Sequence, residues 1–281
     1  MNLWLLPRQG NWERCVMTPR KLYVYPFALV MAKPIERLED RMIRFLESQP
    51  DAESLDKKEF SQLSGDKAKA DYLLDKRRIV AELKTIKGDP KIRVEDRLKK
   101  RFAQPGAPIV FGRVGVSAAL RGLSDEGEVV KMMYDLSARA VRRHLQKSDE
   151  QILVTKSNLN LSNSVGMTII MNDREEMIDA IGILHAIKST FEVVESGYPN
   201  VDFVWASIEA HEMKLPGGGS GFPQLIISRS EEHPDRLDFL GRLIAYWAQF
   251  NGAKAYLLPH HGDWEVLRPI FENGPPTLDL G

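Results

Sequence analysis

The sequence predicts an α/β fold built on a mixed central β-sheet flanked by helices. Three observations carry that prediction. Apolar residues at helical spacing alternate along the chain with short runs rich in β-branched and aromatic residues. Two such runs, ADYLL and RIVAELKTI, are separated only by the polar turn DKRR, so at least one strand pair is antiparallel and the sheet is not purely parallel. With 43% hydrophobic and 28% charged residues in 281, there is apolar material for one sizeable core without disulfide staples.

The elements follow in order. LYVYPFALVMA at 22–32, preceded by Arg20 and Lys21, is too short to span a bilayer and lacks a small-residue cleavage site. Met31 reads like a natural chain start, so residues 1–30 are expected to be an N-terminal arm or extension, with 31–281 as a single domain. Residues 35–49 form an amphipathic helix with Ile35, Leu38, Met42, Phe45 and Leu46 on its stripe and Pro34 at its first position. The hairpin follows, ended by Gly88-Asp89-Pro90. Residues at about 88–122, basic and then Pro- and Gly-punctuated, are expected to be an irregular insertion over the surface.

A long helix is expected at about 125–147, a strand at QILVT (151–155) and a strand at GMTIIM (166–171). Asn172 or Asp173 is expected to cap a helix near REEMIDAIGILHAIKS. VDFVWASI and PQLIIS read as strands bracketing the loop KLPGGGSG, RLDFLGRLIAYWAQF as a helix stopping at Asn251-Gly252, and GAKAYLLP as a last strand. Trp205, Tyr246 and Trp247 fall in apolar periodic segments and are assigned to the core.

Cys15 is the single cysteine, which excludes intramolecular disulfides and Cys-based zinc sites and favours a reducing, cytoplasmic setting. Acidic and basic residues balance at 39 each. The charge is unevenly spread, however: window 57–101 holds 15 Lys and Arg against 8 Asp and Glu. A basic patch of this kind is what a nucleic-acid binder needs, and a solvated Lys-rich surface is its bland reading.

Inside that window lies an anomaly. IVAELKTI has the apolar character of a strand covered on both faces, yet it carries Glu82 and Lys84. Alternation puts Val80, Glu82, Lys84 and Ile86 on one face and Ile79, Ala81, Leu83 and Thr85 on the other. Centring the turn between Lys76 and Arg77 pairs residue 74 with 79, 73 with 80 and 72 with 81, which sets Asp71 opposite Glu82. Two acids so placed repel in a dry environment, and a divalent cation between them reverses the sign. Lys84, on the same face, can orient an attacking water or offset charge developing on a phosphate.

Asp71 followed across a hairpin by Glu82-Leu83-Lys84 resembles the D…(D/E)-x-K signature of the PD-(D/E)XK, or restriction-endonuclease-like, nuclease superfamily. The resemblance covers about 35–86, with Ala70 where the family often has Pro. It implies a restriction-endonuclease-like core with a C-terminal α/β extension and a metal-dependent nuclease hydrolysing DNA phosphodiester bonds, in a genome-defence, antiviral or repair setting. It implies Mg²⁺ or Mn²⁺ held by Asp71, Glu82 and the Leu83 carbonyl, with Lys84 assisting catalysis. A further Glu from the first helix is expected to be Glu39, with Glu36 second. Lys87, Lys91, Arg93, Arg97, Lys99, Lys100 and Arg101 leave the motif strand directly and are expected to track the DNA backbone.

The alternative is a catalytically silent subunit that binds nucleic acid or a partner protein in a larger complex. A homo-oligomer is compatible with either, and no membrane partner is expected. A third class, a small-molecule metallohydrolase on His260 and His261, has no accompanying ligand set, so a turn is preferred there.

Overall fold

The computed structural model describes residues 22–57, 60, 68–88, 91–105, 107, 109–110, 112–115, 120, 123, 125–193, 197–229, 233–258, 264–270 and 277–279. In chain order the elements are β1 (Tyr23–Val30), α1 (Leu38–Ser48), β2 (Glu53–Ser54), β3 (Tyr72–Leu74), β4 (Ile79–Thr85), α2 (Lys91–Phe102), β5 (Arg113–Gly115) and α3 (Glu126–Asn158). Then come β6 (Val165–Asn172), α4 (Ala180–Val193), β7 (Phe203–Ile208), β8 (Glu212–Lys214), β9 (Ser220–Ser228), α5 (Pro234–Phe250), β10 (Lys254–Leu257), β11 (Pro269–Ile270) and β12 (Thr277–Asp279).

The main sheet is mixed and mostly antiparallel, in the order β10-β1-β9-β7-β6-β4-β3-β2, with β8 and β11 attached beside β9. Only β4–β6 and β6–β7 pair in parallel. Helices cover both faces. Val80 and Ile170 face a core shared with Val141, Leu145 and Ile152 of α3 and Ile183 of α4. Ile79, Ala81 and Ile169 face the opposite core, with Leu38, Met42 and Phe45 of α1 and Trp247 of α5. A third cluster seats α2 through Val94 and Leu98 against Val129, Met133 and Leu136 of α3.

Several expectations change on contact with this architecture. The apolar run at 22–32 is no arm: β1 lies inside the sheet between β9 and β10, and Ala28 and Leu29 are fully buried. Residues 1–21 and His260–Asp263 lie outside the described residues. The first helix starts at Leu38, after extended Arg37, and Ile35 is fully exposed rather than on the stripe. Glu39 and Asp40 in the first turn suit a start there, because acids oppose the positive end of the helix dipole.

Within the stretch near 88–122 expected to be irregular, Lys91–Phe102 is helix and Arg113–Gly115 is strand. QILVT is helix, not strand. Its β-branched residues favour extended backbone weakly, and tertiary burial overrides them. Leu145, Ser148, Ile152 and Thr155 recur at helical spacing and are buried, whereas Leu153 is half exposed.

The helix expected from 174 begins only at Ala180. Asn172 is the last residue of β6, and its side chain ties the intervening loop, donating to the Glu175 and Ile178 carbonyls and accepting from Glu175 N–H. Asp179 is the cap instead, its Oδ1 accepting from Gly182 N–H at 2.6 Å. Trp205 and Trp247 are fully buried as expected, but Tyr246 is half exposed on the flank of α5.

Candidate active site

The β3–β4 hairpin has the register its sequence predicts: Tyr72 opposite Ala81, Leu73 opposite Val80, Leu74 opposite Ile79. The turn reaches it through left-handed backbone at Asp75, Lys76 and Arg77, with φ of 51°, 55° and 64°. Asp71 sits one residue before β3. Its N–H donates to the Ala81 carbonyl and its carbonyl accepts from Leu55 N–H at 2.8 Å, so its backbone is held on both sides.

The side chain is held as well, because Asp71 Oδ2 accepts from Leu83 N–H at 2.8 Å. In a strand the N–H and C=O of one residue point to the same edge. The Leu83 carbonyl therefore faces the edge that Asp71 occupies, where β3 has already begun to leave the ladder.

Glu82 is only 2% exposed. Its Oε1 is in contact with Lys84 Nζ, Oε2 is buried with no donor to it among the described residues, and the Asp71 carboxyl stands within hydrogen-bond reach of the Glu82 carboxyl. Burial, followed by the negative charge of Asp71, pushes the Glu82 carboxyl up to about 8, and Lys84 offsets this only in part. Burial also raises Asp71, against the pull of Leu83 N–H and Lys84. The surroundings thus do not support two negative charges on the pair, and Glu82 keeps its proton at neutral pH. A divalent cation with oxygen ligands fits such a donor set, supplying the missing charge and a partner for Glu82 Oε2.

Lys84 is anchored from above. Its Nζ donates to Gln151 Oε1 at 2.7 Å, and Gln151 Nε2 donates to the Lys69 carbonyl at 2.9 Å. Thr155 Oγ1, one turn on, accepts from Ala70 N–H at 2.8 Å. His144 lies in the same field: burial and then the Lys84 charge hold its imidazole down to about 4, hence neutral at physiological pH. His144, Ser148, Gln151 and Thr155 form one polar stripe at i, i+4, i+7 and i+11 along α3. Dividing that helix between a helix and a strand hid this stripe, although its spacing was legible.

Glu39, expected to join the acids, pairs with cations in this structure. It lies on α1, whose stripe packs on the other face of the sheet, and its carboxylate is 3.4 Å from both Arg37 and Lys87. Glu36 pairs with Arg44. Among the described residues no group of three or more His, Cys, Asp or Glu converges on one point, so the acids at this site are a pair.

Of the expected phosphate contacts, Arg93, Arg97, Lys99 and Lys100 are exposed on α2, opposite buried Val94 and Leu98. Lys91 stands at the start of that helix. Arg101 is committed elsewhere, in a two-bond pair with Asp125 at 2.7 Å each. Among the described residues no helix is long and apolar enough to cross a membrane. Comparison with protein-family models, curated proteins and solved structures finds no match to this chain.

Proposed function

We propose that the chain is a nuclease of PD-(D/E)XK type that hydrolyses DNA phosphodiester bonds with Mg²⁺ or Mn²⁺. One feature carries the reading: Asp71 and Glu82 crowd together in a dry place beside Lys84, and Glu82 is raised to about 8 by burial and its neighbour. A core without a cation to bind would gain by replacing that acid with an apolar residue.

Asp71, Glu82 and the Leu83 carbonyl would hold the ion. When bound, it supplies the charge that acidifies a water and shields the scissile phosphate. Leu83 N–H holds the Asp71 carboxylate, which stands within hydrogen-bond reach of Glu82. Gln151 holds the Lys84 ammonium over the acids, where it can orient the water and stabilise charge on the phosphate. The exposed cations of α2 would engage backbone phosphates, which position the strand without reading sequence.

The test is cleavage of plasmid and single-stranded DNA with Mg²⁺ or Mn²⁺. Glu82→Ala should abolish cleavage, and Lys84→Ala should slow it by about 10²–10³-fold. Cleavage that survives both changes rules the reading out. A second reading, a silent subunit that binds nucleic acid or a partner protein, is favoured by the near-complete burial of Glu82 beneath α3. Wild type that binds DNA without cutting it would select that alternative.

A further inference from the structure

Among the described residues, three buried polar atoms on the face of the sheet that carries Glu82 have no hydrogen-bond partner: Glu82 Oε2, Thr168 Oγ1 and Ser148 Oγ. Glu82 is 2% exposed, and Thr168 and Ser148 are fully buried. Thr168 is the register partner of Glu82 across the parallel β4–β6 ladder, on the face where Val80 and Ile170 meet α3. Adjacent strands are about 4.8 Å apart, so the two side chains are immediate neighbours.

The position of Ser148 follows from the crossover. A Cβ on Gly166 would lie 2.9 Å from Ile152 Cγ2, so Ile152 sits directly over Gly166. Because α3 connects two parallel strands, it runs antiparallel to both. One turn back from Ile152, about 6 Å, is Ser148. Two residues on from Gly166, about 6.6 Å in the same direction, is Thr168. Neighbouring Gln151 already bonds Lys84 on this side of the helix.

We propose that Ser148 and Thr168 are positioning residues for Glu82, their hydroxyls and its second carboxylate oxygen closing around one buried water that fixes the carboxylate towards a bound cation. The inference rests on the cation-binding reading of the acid pair. A buried water needs two to four polar partners, and this arrangement would supply three. Alanine and valine would fill the same two places with no polar atom to satisfy, and the inward neighbours Leu145, Ile152 and Ile170 are all apolar. Outer-shell hydroxyls that orient a ligating carboxylate govern metal affinity, which is reason enough to keep them in a dry core.

The experiment measures Mn²⁺ binding by calorimetry and metal-free thermal unfolding for the full chain and for Thr168→Val, Thr168→Ser, Ser148→Ala and Glu82→Gln. Thr168→Val and Ser148→Ala should each weaken Mn²⁺ binding by about 10-fold or more, with an unchanged or higher metal-free Tm. Thr168→Ser should keep wild-type affinity. A purely structural role would instead lower Tm and affinity together, and that outcome overturns the proposal. If Glu82→Gln abolishes binding while Thr168→Val and Ser148→Ala leave it untouched, only the hydroxyl cradle falls. Wild type that takes up no Mn²⁺ sinks the cradle and the cation reading alike.

Discussion

Two buried glutamates stand on neighbouring parts of one sheet, and the protein treats them differently. Glu209, 4% exposed just past β7, faces the buried guanidinium of Arg41. That guanidinium also meets Asn251 Oδ1 and lies over the Trp247 ring, 5.4 Å from its centroid. Glu82 in β4 faces a second acid. Burial raises both carboxyls, but the next influence has opposite sign: Arg41 lowers Glu209, whereas Asp71 raises Glu82 further. Each glutamate touches one cation and keeps one buried oxygen without a hydrogen-bond partner among the described residues, so the difference lies in Asp71, the second acid beside Glu82. Burial of a charge alone says little about function; the sign of its nearest neighbour says more.

The sharpest way to break this contrast is to remove the internal balance. Arg41→Ala would leave Glu209 charged, dry and unpaired, and should destabilise the fold by about 3–5 kcal/mol in chemical denaturation. A cost below about 1 kcal/mol would mean that Glu209 is as poorly compensated as Glu82, and the contrast would vanish.

The second expected effect concerns pH and the metal-free protein. Folded Glu82 keeps its proton up to about pH 8, against an ordinary value of 4.5. Between those values the native state binds more protons than the unfolded chain, so stability falls as pH rises through the window. The slope is at most about 1.4 kcal/mol per pH unit from this group. Glu82→Gln should flatten it and leave the variant more stable than wild type at pH 8. Saturating Mn²⁺ should flatten the wild-type slope too. Parallel curves for wild type and variant would show that Glu82 is already satisfied within the fold.

What could be read from the sequence divides along the same line. The acid pair was legible because it is local. A polar turn and strict alternation set the hairpin register, and register alone puts Asp71 beside Glu82. The Arg41–Glu209 pair spans 168 residues and leaves no local trace. Gln151, Ser148 and Thr155 were hidden by a β-branched stretch whose fate is decided by packing on β4 and β6, not by propensity. β1 was obscured for a related reason. A short apolar run behind two basic residues has the look of a leader, and only its pairing with β9 and β10 makes it a central strand.

The smallest expected effect tests whether Arg41 is held by charge or by a neutral acceptor. Asn251 caps α5, its Nδ2 donating to the Trp247 carbonyl at 2.7 Å while its Oδ1 accepts from Arg41. Asn251→Ala removes both bonds but leaves the guanidinium facing Glu209. The expected cost is therefore about 1.5–3 kcal/mol, the range for a hydrogen bond to a charged group, and below that of Arg41→Ala. In the Arg41→Ala background the Asn251 change should cost less still, because only the Trp247 bond remains to lose. Equal costs for the two single changes would make the amide, rather than Glu209, the group that satisfies Arg41. The glutamate would then be a second uncompensated acid, and the opposite sign of its neighbour would no longer separate it from Glu82.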